Sequence, residues 1–311
     1  MTLSAPSDAT TVIVISSHVV RGSVGNRAAV FALETLGFPV WAVPTVVLPW
    51  HPGHGVPGAP AGRIVPPAEE FSRLMQDLQR APWLGEVGAV LTGYLGHPEQ
   101  AAAVAELVKA VKVKNPGAVY LCDPVIGDEK GLYVPEATAM GIRDKLLPLA
   151  DIATPNRFEL SWLTGVPLED NNALMEAALE AGPATMLVTS AFPLMNGSIG
   201  NILLTPTMAL MAEHRRVDGP TNGLGDLTSA VFLARRLSGM AEEKMLQSTT
   251  AAVFEIMARS AKRGADELML EADASSLATP MAMVQTRRLM HPTKGCCHVN
   301  WATVACLTVW A

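Results

Sequence analysis

The chain has 311 residues, of which 49% are hydrophobic and 17% charged, with 29 Asp and Glu against 23 Lys and Arg, a formal charge of −6. Such a composition excludes a largely disordered chain, and the deficit of cations argues against nucleic acid or an anionic membrane surface as partner. At roughly 100–200 residues per domain, the length allows one large α/β domain or two smaller ones.

Met1 to Thr11 carry neither a basic stretch nor an apolar run of signal-peptide length, and no uncharged apolar segment reaches the ~18 residues of a bilayer span. A cytoplasmic location is expected. The four cysteines have no metal-binding spacing, and Cys122, following Val119-Tyr120-Leu121, reads as a small buried hydrophobe.

Short β-branched runs alternate with segments of helical period, the rhythm of βαβ units around a mostly parallel sheet. Thr11 to Ile15 is predicted as a first strand, Ala28 to Leu36 as a helix stopped by Gly37, and Val40 to Val47 as a second strand. From Pro44 to Pro67 seven prolines and four glycines fall in 24 residues, which forbids a central strand or a continuous helix and predicts a binding loop or flap. Val87 to Leu91 is a strand, followed by a helix opening at Pro98 with Ala101, Val104, Ala105, Val108 and Val111 on one face, ending before Pro116. Further strands are predicted at Ala118 to Cys122, Ile152 to Thr154, Thr185 to Thr189 and Asn201 to Leu204, and long helices at Asp226 to Leu237 and Glu242 to Arg263. The last stretch, 290–311, holds one lysine as its only Lys, Arg, Asp or Glu, together with three of the four cysteines. It is set apart as an atypical tail without assigned role, beyond a domain of residues 1–289.

Three stretches could carry chemistry. Asn222-Gly223-Leu224-Gly225-Asp226 precedes a helix, so its glycines and the helix N-terminus can cradle an anion, with Asp226 beside it to accept a hydroxyl proton. A glycine-rich turn with Asp226 as N-cap explains the same residues. Asp123-Pro124-Val125-Ile126-Gly127-Asp128 begins where a strand ends, the usual place for ligands in an open α/β sheet, and Asp123 could orient Mg²⁺ directly or through water. An Asp-Pro strand break is the alternative. Thr154-Pro155-Asn156-Arg157-Phe158-Glu159 also follows a strand, and Asn156 and Glu159 have capping-box spacing, which suffices for helix initiation and is compatible with a carboxylate near a hydrated metal.

The joint order of these motifs resembles the ribokinase superfamily and, more narrowly, the pyridoxal kinases, over about residues 12 to 289. The resemblance rests on Ser16-Ser17-His18-Val19-Val20 with Gly25-Asn26-Arg27-Ala28-Ala29, on Thr92-Gly93-Tyr94, on Cys122 to Asp128, on Tyr133-Val134, on Thr154-Pro155-Asn156 with Glu159, and on Gly223-Leu224-Gly225-Asp226. It implies a three-layer α/β sandwich that moves the γ-phosphoryl group of ATP to the 5-hydroxymethyl oxygen of pyridoxal with Mg²⁺, usually as a homodimer, with room for a monovalent cation. It implies Asp226 as catalytic base, and backbone N–H groups of Gly223, Leu224 and Gly225 on the transferring phosphate. Asp123 and Glu159 would organise Mg²⁺ and ATP, the metal held through water. Asn156 and Thr189 would lie beside the triphosphate, Ser17, Val19, Thr45 and Tyr94 around the pyridine ring, and Tyr133 in a lid.

One departure stands out. After Thr45 the family commonly has Val-Gln-Phe-Ser-Asn-His-Thr, whereas this chain has Val46-Val47-Leu48-Pro49-Trp50-His51-Pro52. The wall becomes largely apolar, which bears on the preferred vitamer, while His51, Gly53 and Gly55 still match. A hydroxymethylpyrimidine kinase is the nearest rival, against which Gly127-Asp128 and Tyr133-Val134 favour pyridoxal; a vitamer-binding carrier or sensor without turnover is the rival from another class.

Overall fold

The computed structural model describes residues 10–54 and 62–292, so most of the tail singled out above lies outside the described residues. The first half of the chain runs β1 (Thr11–Val19), α1 (Asn26–Thr35), β2 (Val40–Leu48), α2 (Ala68–Gln79), β3 (Val87–Thr92), α3 (Gln100–Lys114) and β4 (Val119–Cys122). A small hairpin, β5 (Gly127–Asp128) and β6 (Gly131–Leu132), leads to α4 (Glu136–Gly141), β7 (Ile152–Ala153), α5 (Arg157–Thr164), α6 (Asn171–Glu180) and β8 (Thr185–Ala191). The chain then continues through β9 (Ser198–Leu204), β10 (Ala209–Arg215), α7 (Leu224–Leu237), α8 (Glu242–Lys262), α9 (Ser275–Ala278) and β11 (Gln285–Arg288).

Nine strands form one sheet in the order β11-β10-β9-β8-β7-β4-β3-β1-β2. The six strands from β2 to β8 pair in parallel, and β9, β10 and β11 extend the sheet antiparallel. Parallel strands are covered on both faces, and the side chains show it. Ile13, Ile15, Tyr120, Met186 and Ile202 enter one core with α2, α3, α5 and α6. Their neighbours Val12, Val14, Leu121, Leu187 and Leu203 enter the other, under α1, α7 and α8. The sheet is therefore the middle layer of three, as the resemblance implied.

Two departures from the expected boundaries bear on the site. β2 runs to Leu48, one residue past the expected Val47, so the proline-rich stretch begins inside a strand, which Pro44 permits because β2 is the edge strand, where a missing N–H is tolerated. Beyond it Val47 and Ile64 exchange backbone hydrogen bonds of 2.8 and 2.9 Å, and Pro52–His54 make a single 3₁₀ turn. α7 begins at Leu224, two residues earlier than expected, because Gly223, at φ +84°, is its N-cap and Asp226 falls in the first turn.

α7 is the central helix of its layer, and Phe232 on it is fully buried. Phe232→Ala is expected to cost about 3–5 kcal/mol in urea unfolding, whereas Trp83→Ala, at a side chain 59% exposed, stays within about 0.5 kcal/mol.

Candidate active site

Because β1, β3, β4, β7 and β8 are parallel, their carboxyl ends line one edge of the sheet, and a cleft of about 1140 Å³ opens along it. Ser17 and Val19 enter it from β1, Tyr94 from just after β3, Asp123 from just after β4, Asn156 and Glu159 from the segment after β7, and Thr189 from β8. Gly223, Leu224, Gly225 and Asp226 close it from the start of α7, and Tyr133 stands half exposed at its mouth beyond β6. β1 is flanked by β2 and β3, so the Ser17 end lies where the strand order reverses.

Thr45 is the one expected ring contact that does not line the cleft. It is fully buried, its hydroxyl donates to the Tyr94 carbonyl at 2.7 Å, and its own carbonyl accepts from Gln100 Nε2 at 2.9 Å. Thr45 thus fixes the backbone that carries Tyr94.

The turn before α7 requires glycine at Gly223, where a Cβ would lie 2.0 Å from the Ser23 carbonyl oxygen. This close approach docks the N-terminus of α7 on the loop after β1. The first-turn N–H groups of a helix lack intrahelical acceptors and carry the positive end of its dipole, so this turn is suited to an anion. Asp226 presents part of its surface to the cleft and is enclosed by protein elsewhere; burial lifts its carboxyl to about 6, against the pull of the backbone N–H groups of Gly25 and Asp226 itself.

Glu159 completes the capping box: Asn156 Oδ1 accepts from Glu159 N, and Glu159 Oε2 accepts from Asn156 N, both at 2.9 Å. Its other oxygen accepts from Ile126 N at 2.8 Å and Gly127 N at 3.4 Å. Burial raises this carboxyl to about 7, those backbone donors lower it, and the charge of Asp226 adds to the rise. Asp123 Oδ2 accepts from Ser229 on α7 at 2.9 Å, and Ser229 is 2.8 Å from the Thr154 hydroxyl. Burial, then Glu159 and Asp226, hold Asp123 well above the usual carboxylate range. Among the described residues no group of three or more His, Cys, Asp or Glu is disposed to hold a metal ion by itself; a hard cation here would have the buried Asp123 oxygen as a direct donor, with Glu159, engaged by backbone donors, reached through water.

Backbone strain gathers here as well. Among the described residues, Val125 (φ +44°) and Ser190 (φ +54°) are the non-glycine residues at positive φ, and both line the cleft. The residues after Asp123 and around the β8 bulge are thus held in turns that their side chains disfavour. Cys122, beneath them, is fully buried with its thiol pushed up to about 12, chiefly by burial, as expected of an inert core cysteine.

Sequence reasoning missed the far end of the cleft. There the His214 ring stacks on Phe254, centroids 4.4 Å apart at 29°, beside Val217, Val253 and Met257. His51 and Arg63, in the stretch expected as a binding loop, line the cleft near the β2 end, and Arg63 donates to the Gly96 carbonyl at 2.9 Å. The partners belong to elements far apart in sequence, so no local spacing announced them.

The family model described as phosphomethylpyrimidine kinase matches residues 76–270. The pyridoxal kinase of Rubrobacter xylanophilus is 36% identical over 285 residues, spanning 89% of this chain and 97% of the relative. That of Corynebacterium diphtheriae is 34% identical over 284 residues, spanning 89% and 99%. The chain belongs to the pyridoxal kinase family. The pyridoxal kinase of Leishmania donovani, solved in complex with ADP and pyridoxamine, superposes with a TM-score of 0.83 at 28% identity, covering 90% of this chain and 100% of that one. Within the pyridoxal kinase frame, the departure after Thr45 falls on edge strand β2, from which Leu48 reaches the cleft.

The three acidic groups bind protons more tightly in the folded chain than in the unfolded one, so Asp226 and Glu159 contribute stability at low pH that is lost as pH rises from about 4 toward 7. In ligand-free protein, thermal melts from pH 4 to 7 are expected to show Asp226→Asn losing less stability with rising pH than the unmodified chain. An identical slope would remove Asp226 from this set.

Proposed function

We propose that this chain transfers the γ-phosphoryl group of ATP to the 5-hydroxymethyl oxygen of pyridoxal or a related B6 vitamer, with Asp226 as the base. The observation that carries the reading is the placement of Asp226, in the first turn of α7 behind Gly223 and Gly225, in one cleft with the strand-end carboxylates Asp123 and Glu159. In this reading the acceptor ring lies at the β1–β2 end between Ser17, Val19 and Tyr94, and the nucleotide extends past Asn156 and Thr189 toward the His214–Phe254 stack. The alcohol oxygen bonds to the γ-phosphorus, the bond to the bridging oxygen of ADP breaks, and the alcohol proton passes to Asp226.

A primary alcohol is about as weak an acid as water, so a carboxylate near 6 cannot deprotonate it outright. Asp226 orients the hydroxyl and takes the proton late, when bonding to phosphorus has made the oxygen acidic. Backbone N–H groups of Gly223, Leu224 and Gly225 face the charge on the moving phosphoryl.

The cleft is acidic, with Asp123, Asp128, Glu159 and Asp226 along its lining, so a triphosphate entering it needs a counter-charge. Mg²⁺ held by Asp123 and, through water, by Glu159 would supply that charge and orient the phosphate chain. The homodimer belongs to the proposal through the family resemblance alone.

Coupled ADP-release assays across pyridoxal, pyridoxine, pyridoxamine and hydroxymethylpyrimidine, run with and without residues 290–311, test the reading. Turnover on at least one B6 vitamer is expected, abolished by EDTA and restored by added Mg²⁺. Tight pyridoxal binding without product would instead favour a carrier. Asp226→Asn is expected to lower kcat by roughly 10²–10⁴ while the KM for ATP stays within a few-fold; an unchanged kcat would exclude Asp226 as base.

A further inference from the structure

We infer that His54 is a positioning residue that ties the acceptor end of the cleft to the phosphate-binding turn through a Glu267–His54–Asn222 relay; the inference rests on the functional reading above. His54 does not line the cleft, but His51 and Pro52 on one side of it and Asn222 and Gly223 on the other do.

His54 ends the short turn after β2, its N–H donating to the His51 carbonyl at 2.9 Å. Its ring Nδ1 lies 2.8 Å from Glu267 Oε1 and its Nε2 lies 2.9 Å from Asn222 Nδ2. A carboxylate only accepts, so Nδ1 carries the proton, and Nε2 then accepts from the Asn222 amide. A single neutral tautomer satisfies both contacts.

The anchor of this relay is built into the fold. Glu267 is buried, Ser23 N donates to its Oε2 at 3.4 Å, and the Arg21 guanidinium lies 3.7 Å from its Oε1. Gly22, at φ +109°, makes room for it: a Cβ there would lie 2.5 Å from Glu267 Oε1. The Ser23 carbonyl is the same group that closes on Gly223. Gly22 and Ser23 therefore set the place of both the carboxylate and the turn, and His54 adds the wall after β2 to that frame.

Phosphoryl transfer depends on relative placement of acceptor and phosphate, so a bridge between the two ends has a thermodynamic signature. Filling one end favours the arrangement that the other needs, and the effect is reciprocal.

Calorimetric titration of the full chain with pyridoxal, alone and with a saturating non-hydrolysable Mg-ATP analogue, reads this coupling. In the unmodified protein the analogue is expected to tighten pyridoxal about five- to tenfold. In His54→Ala the factor falls to about one and kcat drops about tenfold, while each ligand's Kd alone stays within about threefold. His54→Gln, whose amide can donate to Glu267 and accept from Asn222, retains most of the coupling, and Asn222→Ala loses it, which serves if His54→Ala fails to fold. Unmodified protein that binds both ligands without coupling, wild-type coupling in either alanine variant, or equal loss in the Ala and Gln variants at His54 would overturn the relay. If neither ligand binds the unmodified chain, the functional reading falls and the relay with it.

Discussion

The burial of three carboxyls in one cleft is the constraint around which this molecule is arranged. Asp123 and Glu159 are nearly inaccessible, and burial first, then the charges of Glu159 and Asp226 on Asp123 and of Asp226 on Glu159, make their charged forms costly. The fold offsets that cost locally. Three backbone N–H groups converge on Glu159, hydroxyls from Ser229 and Thr154 attend Asp123, and the N–H groups of Gly25 and Asp226 serve the third carboxylate. What remains is a row of carboxyls along the strand ends whose charged forms lack a counter-charge, facing the positive end of a helix dipole.

Much of this was legible in the sequence. The parallel strands read clearly because strands buried on both faces are short continuous apolar runs, as in Thr11 to Ile15 or Val87 to Leu91. β11 escaped because Gln285-Thr286-Arg287-Arg288 is a polar edge, and β10 because Ala209-Leu210-Met211-Ala212 carries little β-branched signal. The strand-end acids were legible since a polar residue straight after an apolar run lies at the sheet edge. Asp226 could be read as an N-cap only while Gly223 was not known to fill that role.

Other features of the site arise from long-range packing and left no local trace. Thr45 sits in a run whose alternation says nothing about which hydroxyl reaches the cleft, and the structure gives that hydroxyl to the Tyr94 backbone. His214 and Phe254 meet from β10 and α8, and His54 meets Glu267 across 213 positions of sequence. Such pairings depend on how layers stack, which period and composition do not encode.

The altered wall after Thr45 sits on a strand hydrogen-bonded to the main sheet on one side only, at the opposite end from the aromatic stack of β10 and α8. Side chains on such a margin can be exchanged without disturbing the ladder that holds Asp123 or the helix that holds Asp226. In the proposed reading, the acceptor end of the cleft is consequently the part whose side chains can change at least cost to the sheet ladder behind Asp123.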